Sequence, residues 1–117
     1  MRADWNGILE SLPREARSVL WRRYCDAVNR RLLEHWLGGR RFRRTLKTDA
    51  FDEAVGEGVA GLLASCGDAS VWIDRAPYAL EEVRRRSGPR LLVAADVRRL
   101  PFASGAFDLI FSGSTLD

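Results

Sequence analysis

Three short runs of β-favouring residues, each closed by an aspartate, constrain the fold of this chain more than any other feature. Helical patterns separate the runs, which span residues 44–49, 70–74 and 90–96. Strands that alternate with helices predict an α/β fold with a parallel sheet and right-handed crossovers. Because the carboxyl ends of parallel strands meet at one edge, we expect Asp49, Asp74 and Asp96 to line a common rim, where such sheets bind ligands.

The helical patterns begin with a long segment at residues 13–37. Apolar residues recur there at helical spacing, namely Ala16, Leu20, Tyr24, Ala27, Val28, Leu32 and Trp36. Pro13 suits a first helical turn and Gly38-Gly39 suits a helix end, so we expect one long amphipathic helix. Two further helices are predicted, one carrying Val55, Val59, Leu62 and Leu63 and one running from Pro77 to Ser87-Gly88. Residues 1–42 then form an N-terminal helical segment, and residues 43–117 form an α/β domain.

Composition excludes several classes of protein. The 117 residues, 46% of them hydrophobic, suffice for one domain with a core. No apolar run reaches the ~18 to 20 residues of a membrane span, and the N-terminus lacks the apolar stretch of a secretory signal, so we expect a cytoplasmic protein. Cys25 and Cys66 show no metal-ligand spacing and His35 is the only histidine, so zinc chemistry and a Cys/His pair lack support.

Two arginine clusters contribute to the net charge of +3, at Arg40, Arg41, Arg43 and Arg44 and at Arg84, Arg85 and Arg86. Such clusters can hold phosphates. Aromatic interleaving is thin, however, because only Phe42 lies among them. We interpret the clusters as solvated helix ends and do not expect a nucleic-acid partner.

A rim of carboxylates costs self-repulsion unless a ligand rich in cationic, hydroxyl or amine groups compensates it. In dinucleotide-binding folds an acid at the end of the second strand, ~20 residues past the loop after the first strand, accepts hydrogen bonds from a ribose diol. Asp74 follows Glu53 at about that spacing. The sequence therefore favours a nucleoside ligand at the rim.

Four motifs occur in an order and spacing that resemble a known family. They are Leu46-Lys-Thr-Asp49, Trp72-Ile-Asp74, Ala95-Asp-Val-Arg-Arg-Leu-Pro-Phe102 and Phe107-Asp-Leu-Ile110. Together they look like successive motifs of class I S-adenosylmethionine-dependent methyltransferases, over residues 43–117. The last two motifs are the most specific.

The resemblance implies a Rossmann-like parallel sheet with S-adenosylmethionine as its cofactor. In that family the acid after the second strand holds the ribose, a role that falls on Asp74. The acid after the third strand and the next backbone N–H meet the adenine edge, and these correspond to Asp96 and Val97. The turn after the first strand approaches the methionine end of the cofactor, and it corresponds to Asp49 through Glu53.

The chain departs from the family at that turn, where the family usually has Gly-x-Gly-x-Gly. Here the turn reads Asp49-Ala-Phe-Asp-Glu53, and the next glycine is Gly56. Glycine is favoured there because the backbone must approach the ligand without a Cβ. We expect side chains to take over part of that work, with Asp49, Asp52 and Glu53 facing the ammonium and sulfonium charges. The nearby Gly56-Glu-Gly-Val-Ala-Gly61 is interpreted as small residues on a helix packed against the sheet.

The family's sheet has seven strands, whereas this sequence provides four, expected in the order 3-2-1-4. We therefore expect a fold truncated after its fourth strand, residues 107–111, with that strand as an exposed edge. Asp108, early in this strand, is expected to be structural. Such a chain either associates with itself through the edge or is a fragment with weak or no turnover.

The resemblance implies methyl transfer to an acceptor that the sequence does not identify. The cofactor supplies the activated group, so the protein's share is positioning and desolvation. The acceptor would lie near residues 112–117, with Asp117 as a candidate base. Three alternatives remain: an inactive cofactor-binding fragment, an interaction protein that docks through Trp21 and Trp36, and an NAD-binding half-domain. The absent glycine turn disfavours NAD, because a pyrophosphate requires free backbone N–H groups.

Overall fold

The computed structural model describes residues 14–87 and 91–113. Within them the chain forms four helices and four strands: α1 (Arg14–Leu37), β1 (Phe42–Lys47), α2 (Phe51–Val55), α3 (Ala60–Cys66), β2 (Gly67–Asp74), α4 (Pro77–Ser87), β3 (Leu91–Ala94) and β4 (Leu109–Phe111). The predicted helix start at Pro13 and helix end at Gly88 lie outside the described residues. α1 ends as predicted, since Gly38 and Gly39 adopt left-handed φ angles of 59° and 76°.

The four strands form one parallel sheet in the order β3-β2-β1-β4. This confirms the predicted α/β, Rossmann-like sheet and its strand order. At the carboxyl end of β1, Lys47 lies opposite Trp72 of β2 and Phe111 of β4. From β1 the chain adds β2 and β3 on one side of β1, and it then crosses to the other side to add β4. The topological switch point, where such folds bind ligands, therefore lies at the carboxyl end of β1, next to β4.

The core lies where the helices pack against the sheet. Trp72 of β2, Leu63 of α3 and Val83 of α4 are buried at its centre. α1 adds Leu33 and Leu37 to the same cluster. Burial of a large apolar side chain contributes about 1.5–3 kcal/mol, so these two leucines anchor the C-terminal half of α1 to the sheet domain.

The apolar stripe that the sequence predicts on α1 lies on its outer face. Tyr24 and Trp36 are 61% and 65% exposed, whereas Leu33 and Leu37 face inward. A helix of 24 residues can carry two apolar stripes, and periodicity alone does not tell which of them meets the core. Nowhere in the described residues does a helix combine the length and the apolar character that crossing a membrane requires.

The prediction of a single helix after β1 is wrong. α2 ends at Val55 and α3 begins at Ala60, and Gly58 between them has a φ angle of 57°. Gly56 and Gly58 therefore lie at this break and do not serve helix–sheet packing, whereas Gly61 lies in α3. A Cβ at Gly56 would lie 2.8 Å from Asp26 Oδ2, and a Cβ at Gly58 would collide with Glu53.

The two outer strands leave apolar side chains in water. Leu91 of β3 is 58% exposed and Ile110 of β4 is 56% exposed. β3 is therefore not covered on both faces, although residues 90–96 carry an uninterrupted apolar run. An uninterrupted apolar run reads alike in a central strand and in a short edge strand, and β3 is such an edge.

Candidate functional site

The carboxyl ends of the first three strands bring three aspartates to one edge of the sheet. Asp74 ends β2, whereas Asp49 and Asp96 follow β1 and β3. Backbone contacts link the three turns, because the Ala50 N–H donates to Asp74 Oδ2 at 3.0 Å and the Ala95 N–H donates to the Asp74 carbonyl at 3.1 Å. The three aspartates thus form the expected rim, here termed the carboxyl rim.

Asp74 keeps hydrogen-bonding capacity for a ligand. Its Oδ2 accepts from Ala50, and its Oδ1 accepts from the Ala76 N–H at 2.9 Å. An ionised carboxylate offers about four lone-pair positions, so each oxygen can accept another hydrogen bond. The two N–H groups also fix the orientation of the carboxylate, an arrangement that suits the two hydroxyl donors of a ribose diol.

Asp96 is held by two arginines that the sequence analysis did not single out. Arg98 reaches Asp96 Oδ2 at 2.6 Å and donates its backbone N–H to Oδ1 at 2.9 Å, while Arg75 Nε lies 3.6 Å away. The hydrogen bonds from Arg98 hold the pKa of Asp96 far below its ordinary value, so the carboxylate stays ionised. Within the described residues the Val97 N–H makes no hydrogen bond, and it can donate to a ligand.

Behind the rim, the fully buried Lys47 contacts three carboxylates. Its Nζ lies 2.8 Å from Glu53 Oε1, 3.2 Å from Asp52 Oδ2 and 3.4 Å from Asp49 Oδ1. Asp49 and Asp52 keep 19% of their side chains exposed, whereas Glu53 keeps 1%. Of the three loop acids predicted to face the cofactor, Asp49 and Asp52 therefore reach the rim, whereas Glu53 lies inside the fold.

Glu53 is an interior anchor for the loop after β1. Besides Lys47, it accepts hydrogen bonds from Trp72 Nε1 at 3.1 Å and from the Val59 N–H at 3.0 Å. Burial raises the pKa of Glu53, and the Lys47 charge opposes that rise. Burial alone would lower the pKa of Lys47, but Glu53, Asp49 and Asp52 outweigh it and raise that pKa above its usual value. The ammonium group of Lys47 is therefore charged at neutral pH.

A second cation comes from α1. Arg22 Nη1 lies 2.8 Å from Asp52 Oδ1. Three carboxylates of the loop thus face two cations, Lys47 and Arg22, and the loop keeps a negative charge that suits a cationic ligand group. Lys47 could have been found as a lysine at the end of a predicted strand with three acids in the next six residues. No comparable signal in the sequence points to Arg22.

Two hydroxyl groups at the switch point are buried without a hydrogen-bond partner among the described residues. They are Thr48 Oγ1 and Ser112 Oγ. The Thr48 N–H donates to the Phe111 carbonyl at 3.1 Å, so the two residues follow neighbouring strands. Each hydroxyl group can donate one hydrogen bond and accept others. The candidate base Asp117 lies outside the described residues.

Asp108 is structural, as predicted. Its carboxylate accepts hydrogen bonds from the Arg43 and Arg44 N–H groups, both at 2.8 Å. These bonds hold the pKa of Asp108 below its ordinary value. They tie the start of β4 to the first residues of β1, at the edge of the sheet opposite the carboxyl rim.

Hollows in the described part of the chain also lie along α1. One of about 730 Å³ is lined by Arg22, Asp26 and other residues, and one of about 500 Å³ is lined by Arg30 and others. Neither includes Asp74 or Asp96.

The comparisons with known proteins agree with this geometry. Residues 53–117, more than half of the chain, match the family model described as a methyltransferase domain. With its parallel sheet in the order β3-β2-β1-β4, the chain belongs to the class I S-adenosylmethionine-dependent methyltransferases. It is 41% identical over 49 residues to the malonyl-[acyl-carrier protein] O-methyltransferase of Legionella pneumophila. That alignment covers 39% of this chain and 17% of the relative's length. No solved structure matches the chain significantly.

Proposed function

We propose that this chain binds S-adenosylmethionine at the carboxyl rim and takes part in methyl transfer. Asp74 accepts hydrogen bonds from the ribose, and Asp96 and the Val97 N–H meet the adenine edge. The loop after β1, with Asp49 and Asp52, receives the methionine end. The observation that carries this proposal is the meeting of Asp49, Asp74 and Asp96 at one edge of a methyltransferase-family sheet.

The bound cofactor would supply a methyl group activated by its sulfonium charge. The residues of this chain contribute orientation and charge, which is enough for a displacement that needs no protein nucleophile. The negative charge left in the loop favours the sulfonium and ammonium groups over neutral ligands. The fixed carboxylate of Asp74 positions the nucleoside without a glycine-rich turn.

The proposal is tested by calorimetric titration of the chain with S-adenosylhomocysteine and, separately, with NAD. We expect binding of S-adenosylhomocysteine only. Asp74→Asn should weaken this binding by about tenfold or more, because it removes a charged acceptor from two hydrogen bonds. Asp68→Asn is the matched control, since Asp68 lies near the other end of the same strand and pairs with Arg41. Tight binding of NAD without binding of S-adenosylhomocysteine would contradict the proposal.

A further inference from the structure

α1 lies outside the segment that matches the family model, and yet it contacts the loop that is proposed to hold the cofactor. Arg22 Nη1 donates to Asp52 Oδ1 at 2.8 Å. The guanidinium group also lies over the ring of Phe51, 5.4 Å from its centroid. Arg22 therefore holds the first two residues of α2 by a charge-assisted hydrogen bond and a cation–π contact.

A second contact of α1 holds the far end of the same segment. Asp26, which is 6% exposed, accepts a hydrogen bond from the Gly58 N–H at 3.1 Å. Between the two contacts the Gly56 backbone packs against the Arg22 side chain, and a Cβ at Gly56 would lie 2.9 Å from Arg22 Cγ. One turn of α1 thus clamps residues 51–58 at both ends.

The clamp also sets the charge of the loop. Asp52 shares its Oδ1 with Arg22 and its Oδ2 with Lys47, which is 3.2 Å away. Asp52 remains 19% exposed at the rim, so its charge can interact with a ligand there. The guanidinium group of Arg22 offsets that charge. Where water screens the interaction, one unit charge about 4 Å away changes ionic binding by about fivefold.

We propose that Arg22 is a positioning residue of the cofactor site, which fixes the loop after β1 and limits the negative charge that this loop presents. Arg22 thereby sets the preference between the sulfonium cofactor and its neutral thioether product. The inference rests on the proposed function for its ligands, although the clamp itself exists without them.

The charge role is tested with the dissociation constants of S-adenosylmethionine and S-adenosylhomocysteine for the full chain. Arg22→Gln should shift their ratio toward S-adenosylmethionine by about threefold to tenfold, because Asp52 loses its surface cation. Arg22→Lys should restore the original ratio even where both affinities fall. Arg23→Gln, which removes an exposed arginine next in sequence, should leave the ratio unchanged. A purely structural role would weaken both ligands equally, and an unchanged ratio in Arg22→Gln overturns the charge role.

The clamp is tested without any ligand by hydrogen exchange. Arg22→Gln should speed amide exchange in residues 51–58 by about tenfold relative to Arg23→Gln, since the segment loses one of its two contacts. Equal exchange in the two variants overturns the inference. Should the wild-type chain bind neither ligand, the proposed function fails, and the exchange experiment still decides whether Arg22 holds the loop.

Discussion

Lys47 links the three acids of the loop after β1 into one ion-pair cluster behind the carboxyl rim. Its side chain is fully buried at the end of a central strand, where an isolated ammonium group would be strongly disfavoured. Glu53, Asp52 and Asp49 compensate it, and Trp72 Nε1 satisfies a further lone pair of Glu53. Removal of one member leaves buried charge uncompensated, so the cluster is expected to behave as a unit.

We predict that Lys47→Met lowers the free energy of unfolding by about 3–5 kcal/mol, the usual cost of breaking a buried ion pair. Urea denaturation measures this change. Arg41→Gln breaks the exposed pair with Asp68 and should cost at most about 1 kcal/mol. The double variant Lys47→Met/Glu53→Gln should cost less than Lys47→Met and Glu53→Gln added together. If Lys47→Met and Arg41→Gln lowered the free energy of unfolding equally, the cluster would not stabilise the fold more than an exposed ion pair does.

The sequence located part of this site. Asp74 and Asp96 could be placed because each ends a β-favouring run, and the carboxyl ends of parallel strands share an edge. Glu53 was expected to face the ligand, but the structure buries it against Lys47 and Trp72. Sequence patterns predict the order of strands better than the direction in which a long side chain points. Buried ion pairs such as Lys47–Glu53 are therefore not predicted from them.

At the scale of elements, the break between α2 and α3 shapes the loop after β1. Gly58 is left-handed, and no side chain fits there because Glu53 occupies the space of a Cβ. Three residues further on, Gly61 lies in α3 and faces open space. The two glycines therefore offer a matched pair for testing the break.

We predict that Gly58→Ala lowers the free energy of unfolding by more than about 1–2 kcal/mol, since a Cβ is strained at positive φ and would displace Glu53. Gly61→Ala should raise it by up to about 1 kcal/mol, because alanine is favoured over glycine inside a helix. Both changes are measured by denaturant unfolding. An unchanged free energy of unfolding in Gly58→Ala would contradict the requirement for glycine at the break.

The apolar spacing of Val55, Val59 and Leu62 predicts one continuous helix, whereas the structure divides this segment into α2 and α3. Periodicity measures where apolar side chains recur, and a turn of similar length can keep that recurrence. The break follows instead from contacts made by α1, through Asp26 to the Gly58 N–H and through the close approach at Gly56. Contacts between segments distant in sequence are invisible to a local pattern.

At the scale of the whole molecule, the sheet ends on one side in β4, a strand with an exposed isoleucine. An apolar edge strand is a template for pairing with another chain. We predict that the 117-residue chain associates with itself through this edge. Sedimentation velocity over a range of concentrations should show species larger than the monomer.

The matched variants place one lysine on each edge of the sheet. Ile110→Lys should shift the chain toward the monomer, because lysine disfavours edge-to-edge pairing. Leu91→Lys makes the same change on β3, where Leu91 is similarly exposed, and should leave the association unchanged. Dissociation by Leu91→Lys alone would assign the contact to the other edge.

The clamp formed by Arg22 and Asp26 has a consequence for how this protein can change over evolutionary time. A recombination event that exchanged α1 for an unrelated helix would leave Asp52 with one cation and Gly58 without its acceptor. The helix α1 is thus not an interchangeable accessory. Substitutions at Arg22 and Asp52 should be inherited together, as paired changes, even though the two positions are separated by thirty residues of sequence.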